Sequence, residues 1–478
     1  MNIYQRIVEA NNGNDDGIAI CDRGRRFTYS ELFRNVDFIV DRLKKNGLDA
    51  GARVAVLAGD SMEYLAVTLG VLASGCVVVP VSTCVPEHEL RIMLSEMNIN
   101  ALICSETYHR EEDSTLTVPD AFRERYYIRF FSCSTQPIIL PEEKQAAYIR
   151  YSSGTTGSRK GVVLSHASIW ERLNVCQDLN IGRGEQVLRI LDVTFHFIVP
   201  DLLFLLRGAC IVICPSPAES HLEDLLKEYE IEFLYAVPYY YHWLITSDLI
   251  LPELLQKVKY AFSVSMNLDS ADAIAFREKF NIPLMQTYGS IETGLVCVNT
   301  SDRLDKVNSV GCLQAAYHLR LADADDSGTG KILLNGPGFF DAYLTPFQLR
   351  TDVCGEDVYF NTGDIGRMDE DGYLYLTSRT KNVINYCGIK VFASEIEAVL
   401  REHPWVGGCR VYGQNAGSFG EVPVAEIAVA AGIVLMENWE EALREYCSRY
   451  LALYKVPKLF RQVEMLPRSS GAKILRRP

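Results

Sequence analysis

The chain has no C-x-x-C pair among its 14 cysteines, no excess of positive charge, no low-complexity tract and no short internal repeat. The first absence argues against structural zinc and against a disulfide framework, which both draw on closely spaced cysteines. The closest informative pair, Cys210 and Cys214, sits in an apolar run that reads as buried strand. With 47 Lys and Arg against 61 Asp and Glu, the net charge of −14 excludes a large nucleic-acid footprint. Any anionic ligand must be held by local cations, which suits a small nucleotide better than a polynucleotide. The opening MNIYQRIVEANNGNDDG lacks a basic region followed by an apolar core, so no signal peptide is expected and a reducing cytosol is. Tyr64 to Pro86 is uncharged and long enough to raise a membrane span, but Gly70, Gly75, Pro80 and the β-branched VVVPV interrupt it. The run predicts a buried helix ending near Gly75 and then a buried strand.

What is present fits a globular protein of more than one domain: 478 residues, 48% apolar and 23% charged. Helical and strand patterns alternate. SELFRNVDFIVDRLKKNG reads as a helix with a Lys-Lys-Asn-Gly stop before the strand RVAVLAG; LEDLLKEYEI precedes EFLYAVP, and DAIAFREKFNI precedes PLMQTYG. Such alternation predicts an α/β fold with parallel sheets covered on both faces, and ligand sites at the carboxyl ends of the strands. Asp323 to Gly330 reads as a turn-rich hairpin. A domain boundary is expected near residues 378–382, in TSRTKN, giving domains 1–378 and 379–478. The second is an α+β unit with EIEAVLREH and WEEALREYCSRYL as helices and CRVYG and VAEIAVAAG as strands.

The densest chemistry lies in YSSGTTGSRKGVVLSH, Tyr151 to His166. Gly154, Gly157 and Gly161 let backbone N–H groups turn toward an anion; Ser152, Ser153, Thr155, Thr156 and Ser158 add donors, and Arg159 and Lys160 add charge. A Ser/Thr/Gly run also suits a flexible linker, but linkers rarely carry paired cations inside an apolar frame. It is not a G-x-x-x-x-G-K-[ST] loop, because Gly161 follows Lys160 and a strand-like VVL comes next.

The stretch resembles the phosphate loop of the adenylate-forming superfamily: acyl- and aryl-CoA synthetases, peptide-synthetase adenylation domains and luciferases. Further matches follow in the family's order. They are FTYSELFRNV at Phe27, GLDAGARVAVLAGDSMEYLAVTLGVLASGCVVVPV at Gly47, QTYGSIETG at Gln286 and GKILLNGPGFFDAY at Gly330. NTGDIGRMDEDGYLYLTSRTKNVINYCGIKVFASEIEAVL at Asn361 and LPRSSGAKILRR at Leu466 complete the set. The resemblance implies a large N-terminal domain of parallel-rich sheets layered with helices and a small mobile α+β C-terminal domain. It also implies an ATP-dependent, AMP-forming acid–thiol ligase.

A carboxylate attacking the α-phosphate of ATP brings two anions together, so cations and preorganised donors must carry the catalysis. By resemblance, Ser152, Ser153, Gly154, Thr155, Thr156, Gly157 and Lys160 grip the outer phosphates, and Thr155 and Glu292 help hold Mg²⁺. Tyr288, beside Gly289, resembles the aromatic that lies against adenine; outside this motif a core Tyr is the default. Asp364 resembles the acceptor of the ribose hydroxyls, against a turn-forming Asp, and Arg379 resembles the ribose and phosphate contact. Lys473 resembles the catalytic lysine that offsets repulsion between carboxylate and α-phosphate, against a merely basic tail. Lys381 matches the hinge about which the small domain turns, and the segment around Gly388 then approaches the thiol arm.

Four features depart from the family pattern: Ile291 replaces a Thr, Ser378 and Ala472 each replace a Gly, and SVSMNL, Ser263 to Leu268, stands where a Gly-rich segment is usual. They leave room for a non-catalytic nucleotide- or acyl-binding relative. For the acid, VTFHFIVPD offers no ammonium partner at Phe195 and His196, while Asp201 keeps an amino acid open if the register slips. Phe195, His196, Phe197, Val264 and Ile291 predict a largely apolar pocket for an aryl or short to medium acyl acid, although His196 is equally a satisfied core histidine. The thiol is expected on CoA or on a phosphopantetheinylated carrier protein, which present the same arm.

Overall fold

The computed structural model describes residues 1–132, 137–141, 144–153, 159–176, 179–214, 219–266, 268–301, 303–355, 358–379, 383–430, 432–464 and 466. Helix ends follow from local chemistry. In Tyr29–Lys45 the Thr28 hydroxyl accepts from the Glu31 N–H while the Glu31 carboxylate accepts from the Thr28 N–H, a capping box. This helix buries Leu32, Val36, Ile39 and Leu43 and ends among Arg42, Lys44 and Lys45, cations at the negative end of its dipole.

The uncharged run resolves into the helix Met62–Ala73, a turn at Gly75 with φ +83°, and the strand Val77–Pro80. All helix residues from Met62 to Leu72 are buried, and the helix touches strands of both large sheets as well as Tyr29–Lys45. It has no solvent face, which is why the run carries so little charge. A Cβ at Gly70 would lie 2.4 Å from Ile39 Cγ2, so the helices approach closely only because this residue is glycine. Among the described residues no helix is long and apolar enough to cross a membrane.

Alternation of helix and strand builds two nine-stranded sheets. In one, Ile18–Asp22, Cys210–Ile213, Gln186–Arg189, Ile231–Ala236, Tyr260–Ser263 and Leu284–Ser290 run parallel in that spatial order, with antiparallel strands at both edges. In the other, Ala101–Ser105, Arg53–Leu57, Val77–Pro80 and Ala146–Ser153 are parallel; Ala146–Ser153 then pairs antiparallel with Arg159–Ser165. A four-stranded antiparallel sheet follows, in the order His318–Ala322, Gly330–Asn335, Phe360–Met368 and Leu374–Arg379. The turn between its first two strands is closed by Asp325, whose carboxylate accepts from the N–H groups of Ser327 and Thr329.

From Val383 onward a hairpin, Val383–Tyr386 with Ile389–Phe392, leads into the helix Ala393–Arg401. A three-stranded sheet of Val406–Asn415, Glu421–Val429 and Leu459–Val463 and the helix Trp439–Tyr450 complete this lobe. Ile384, Ile396, Val411, Ile427 and Leu443 belong to its separate core. The two helices and two strands expected here are present, and the hairpin and the strand Leu459–Val463 are additional.

Candidate active site

The strand Leu284–Ser290 ends in a reversal that only glycine permits: a Cβ at Gly289 would fall 2.1 Å from the Gly294 carbonyl oxygen. Ser290 and Thr293 fix the turn, with the Ser290 N–H donating to Thr293 Oγ1 at 3.1 Å and the Thr293 N–H to Ser290 Oγ at 3.3 Å. Glu292, at the tip, lines a cavity of about 830 Å³ at the carboxyl ends of the parallel strands, together with Tyr288, Gly289 and Ile291.

Arg172 holds this turn in place. Its guanidinium is buried and donates from Nε to the Gly338 carbonyl at 2.9 Å and from Nη1 to the Ile291 carbonyl at 3.2 Å. Burial pushes Arg172 below its usual range, while Glu292 is among the groups that oppose the shift. Sequence alone gives no sign of this role, since a lone Arg on a helix carries no signal of its carbonyl partners.

Tyr288 and Asp364 meet directly: the Tyr288 hydroxyl donates to Asp364 Oδ2 at 2.7 Å, and both residues are buried. Asp364 is aimed by the Asn361–Gly363 turn, in which the Gly363 N–H donates to Asn361 Oδ1 at 2.9 Å, and by its own N–H, which donates to Thr362 Oγ1 at 3.1 Å. Gly363 has φ +78°, a conformation that favours glycine. Arg379 is the backbone partner of Asp364 across the antiparallel pair. Lys160 lies over the Tyr343 ring, its Nζ 4.3 Å from the centroid, and both line the cavity.

Several expected residues lie outside the description. Gly154, Thr155, Thr156, Gly157, Ser158, Lys381, Ala472 and Lys473 are outside the described residues, as are the side chains of Ser152, Ser153, Phe195, Ser378 and Arg379. The backbones of Ser152 and Ser153 pair with Lys160 and Arg159 in the hairpin that flanks the loop.

The acid pocket differs in part from expectation. His196, Val264 and Ile291 line the cavity. Phe197 does not: it is 1% exposed and stacks on Tyr148, ring centroids 5.9 Å apart, on the core side of that ring. Asp201 does not reach the cavity either. It is wholly buried beside the Arg189 guanidinium, 3.2 Å away, and burial pushes its carboxyl up to about 7, so it offers no partner for a substrate ammonium. In its place the cavity receives Arg150, two residues along the strand from Tyr148 and on the same face. Strand alternation would have flagged it. His196 is pushed down to about 3 by burial, Arg150 and Arg189, so it is a neutral imidazole near neutral pH.

The second lobe closes the cavity. Gly388 lines it, and Asn385 Nδ2 donates to the Ser265 carbonyl at 2.9 Å. Ser265, in the segment where glycine was expected, has φ +68°, a backbone that costs a Cβ-bearing residue about 1 kcal/mol. The departure in sequence is thus a local strain in structure.

Comparison with known proteins agrees with this geometry. The model of the AMP-binding enzyme family matches residues 7–344, and that of the AMP-binding enzyme C-terminal domain matches residues 395–473. A 2-succinylbenzoate–CoA ligase of Bacillus cytotoxicus is 27% identical over 482 residues, covering 97% of this chain and 95% of the relative. The solved o-succinylbenzoate CoA synthetase of Bacillus subtilis superposes with a TM-score of 0.84 at 20% identity, over 98% of this chain and 97% of that one. An amide bond synthetase of Marinactinospora thermotolerans gives 0.82 at 21% identity, over 99% and 98%. With both family models matched in order and a cavity shared by the two lobes, the chain belongs to the AMP-binding enzyme family of the adenylate-forming superfamily, as an AMP-forming acid–thiol ligase.

Proposed function

We propose that this enzyme uses ATP to activate a small carboxylic acid that has an apolar body and a second anionic or strongly accepting group, and passes the acyl group to CoA. The observation that carries the reading is the single cavity lined by Tyr288, Asp364, Glu292 and Lys160 together with Arg150, His196 and, from the second lobe, Gly388. Val264, Ile291 and Tyr235 supply apolar surface, and Arg150 adds positive charge to the same lining, which is complementary to a second anionic group. The relatives support this choice: 2-succinylbenzoate, the acid of the named CoA ligases, carries two carboxylates.

In the first step a carboxylate oxygen attacks the α-phosphorus, the bond to the bridging oxygen of the β-phosphate breaks, and pyrophosphate leaves. Asp364, acceptor-only when ionised, suits the ribose hydroxyls, and the Tyr288 hydrogen bond holds it in place with the Tyr ring as an adenine face. Arg379 adds a ribose and phosphate contact. Residues 152–157 and Lys160 take the outer phosphates, and Lys473 places a cation between the two reacting anions. Among the described residues no group of three or more His, Cys, Asp or Glu is arranged to hold a metal. A site with one carboxylate fits Mg²⁺, which keeps waters and phosphate oxygens; Glu292 and Thr155 would hold it, and it would neutralise phosphate charge. In the second step the small domain turns about Lys381, the thiolate attacks the acyl carbon beside Gly388, and AMP leaves.

Pyrophosphate exchange with 2-succinylbenzoate, malonate, benzoate and short fatty acids tests the reading. Exchange is expected with an acid of the first two kinds, is lost in Lys473→Ala, and loses its preference for a second carboxylate in Arg150→Met. No exchange with any acid, despite ATP binding, refutes it. Supplying CoA or a phosphopantetheinylated carrier protein in turn identifies the acceptor; thioester on the carrier alone overturns the choice of CoA.

A further inference from the structure

The two lobes touch at several points, and one of these is a buried ionic cluster that borders the cavity, where Glu89 and Lys455 are both part of the lining. Lys455, in the second lobe, donates to Glu89 in the first turn of the helix Glu87–Glu96 of the large domain, and to Glu395 of its own lobe at 3.0 Å. Lys455 is 4% and Glu89 2% exposed. Beside Glu89 in sequence, His88 meets Tyr450 edge-on, ring centroids 5.8 Å apart, and at a separate contact between the lobes Tyr239 meets Phe419 at 4.7 Å. Burial alone would push the Lys455 ammonium down; Glu395, Tyr454 and Glu89 more than offset this and hold it above its usual range.

The partition of this cluster between lobes is informative. Glu395 and Lys455 belong to the same lobe and move together, so their pairing survives any rotation. Glu89 stays with the large domain. A buried charge pair is costly to build and more costly to leave half-made, so the contact favours one lobe orientation over neighbouring ones. When the lobe leaves, Glu89 is returned to water and Lys455 keeps a carboxylate. The contact can therefore be made and broken without stranding a charge.

We propose that Glu89 and Lys455 form a latch between the domains that holds the second lobe in the orientation in which Gly388 closes the cavity, so that both act as positioning residues for thioester formation. The proposal rests on the two-step reading above. Its reach is confined to the second step, because the first requires the lobe elsewhere, with Lys473 in the cavity.

The test combines hydrogen exchange of the free protein with the separated half-reactions. In Glu89→Gln, amides of residues 383–392 and of the helix Glu87–Glu96 exchange faster than in the parent chain. Thioester formation from supplied acyl adenylate and CoA falls at least tenfold, and pyrophosphate exchange stays within twofold. Lys455→Met gives the same pattern, and the double variant is no worse in the second step than Lys455→Met alone. Equal falls in both half-reactions, multiplying effects in the double variant, or unchanged exchange at residues 383–392 would overturn the latch. Hydrogen exchange needs no acid, so it judges the latch even if the assignment of acid and thiol fails.

Discussion

Gly388→Ala should separate the two half-reactions by steric means alone. Gly388 has φ +82°, and a Cβ there would lie 2.8 Å from Ser265 Cβ and 2.9 Å from Val237 Cγ1. The left-handed backbone costs alanine about 1 kcal/mol, and overpacking against two side chains of a well-filled interface adds about 1 to 3 kcal/mol. Both contacts are between lobes, so the steric part, about 1 to 3 kcal/mol, falls on the closed arrangement and corresponds to about a 5- to 160-fold loss in that step. The assay is single-turnover transfer from preformed acyl adenylate to CoA, set beside pyrophosphate exchange. Transfer falls and exchange does not. Adding Ser265→Gly removes one of the two clashing atoms and recovers part of the loss. Equal falls in both assays, or transfer within threefold of the parent chain, would refute the reasoning.

Other substitutions probe the large domain. Asp364→Asn removes a charged acceptor worth about 1.5 to 3 kcal/mol, so kcat/KM for ATP is expected to fall about 10- to 150-fold with a smaller loss in Tyr288→Phe; an unchanged KM for ATP counts against the ribose assignment. Arg172→Met leaves the Gly338 and Ile291 carbonyls without their buried donor. It should lower the melting temperature and raise the Mg²⁺ concentration needed for half-maximal exchange, and an unaltered Mg²⁺ requirement would separate Arg172 from Glu292. His166 accepts from the Ile3 N–H at 3.3 Å, and burial pushes it down to about 4. A folded value below the unfolded one means that stability is full above about pH 6.5 and falls as pH drops toward 4, by about 3 kcal/mol. His166→Asn, which keeps an acceptor, flattens that part of a denaturation series, and an unchanged slope would exclude His166 as its source.

Much of the fold was legible because its patterns are long. Tyr29–Lys45 announces its cap, its apolar stripe and its stop, and glycines of QTYGSIETG and NTGDIG mark backbone where a side chain is disfavoured: a Cβ at Gly289 or Gly366 would meet a carbonyl oxygen, and Gly363 has φ +78°. Cavity-lining positions were legible where residue type and loop chemistry coincide, as at Asp364 and Glu292. They were not legible where a role depends on what lies across the fold. Phe195, His196 and Phe197 are adjacent in sequence, yet the chain turns Phe197 into the core against Tyr148 while His196 faces the cavity. Arg150 was within reach of the alternation of its strand, since it shares a face with Tyr148, whereas Arg172 has no signal until its carbonyl partners are placed.

The sequence by itself determined the family, because its motifs are local runs of donors, charges and glycines that match the two family models in order. Only the tertiary structure decided which further groups meet at the cavity. Arg150 in its lining, the Arg172 brace on the Glu292 turn, and the meeting of Gly388 with Ser265 and of Lys455 with Glu89 join segments far apart in the chain. The physical reason is that a motif encodes donors and charges, whereas specificity and domain closure depend on packing across the fold, which no local spacing records.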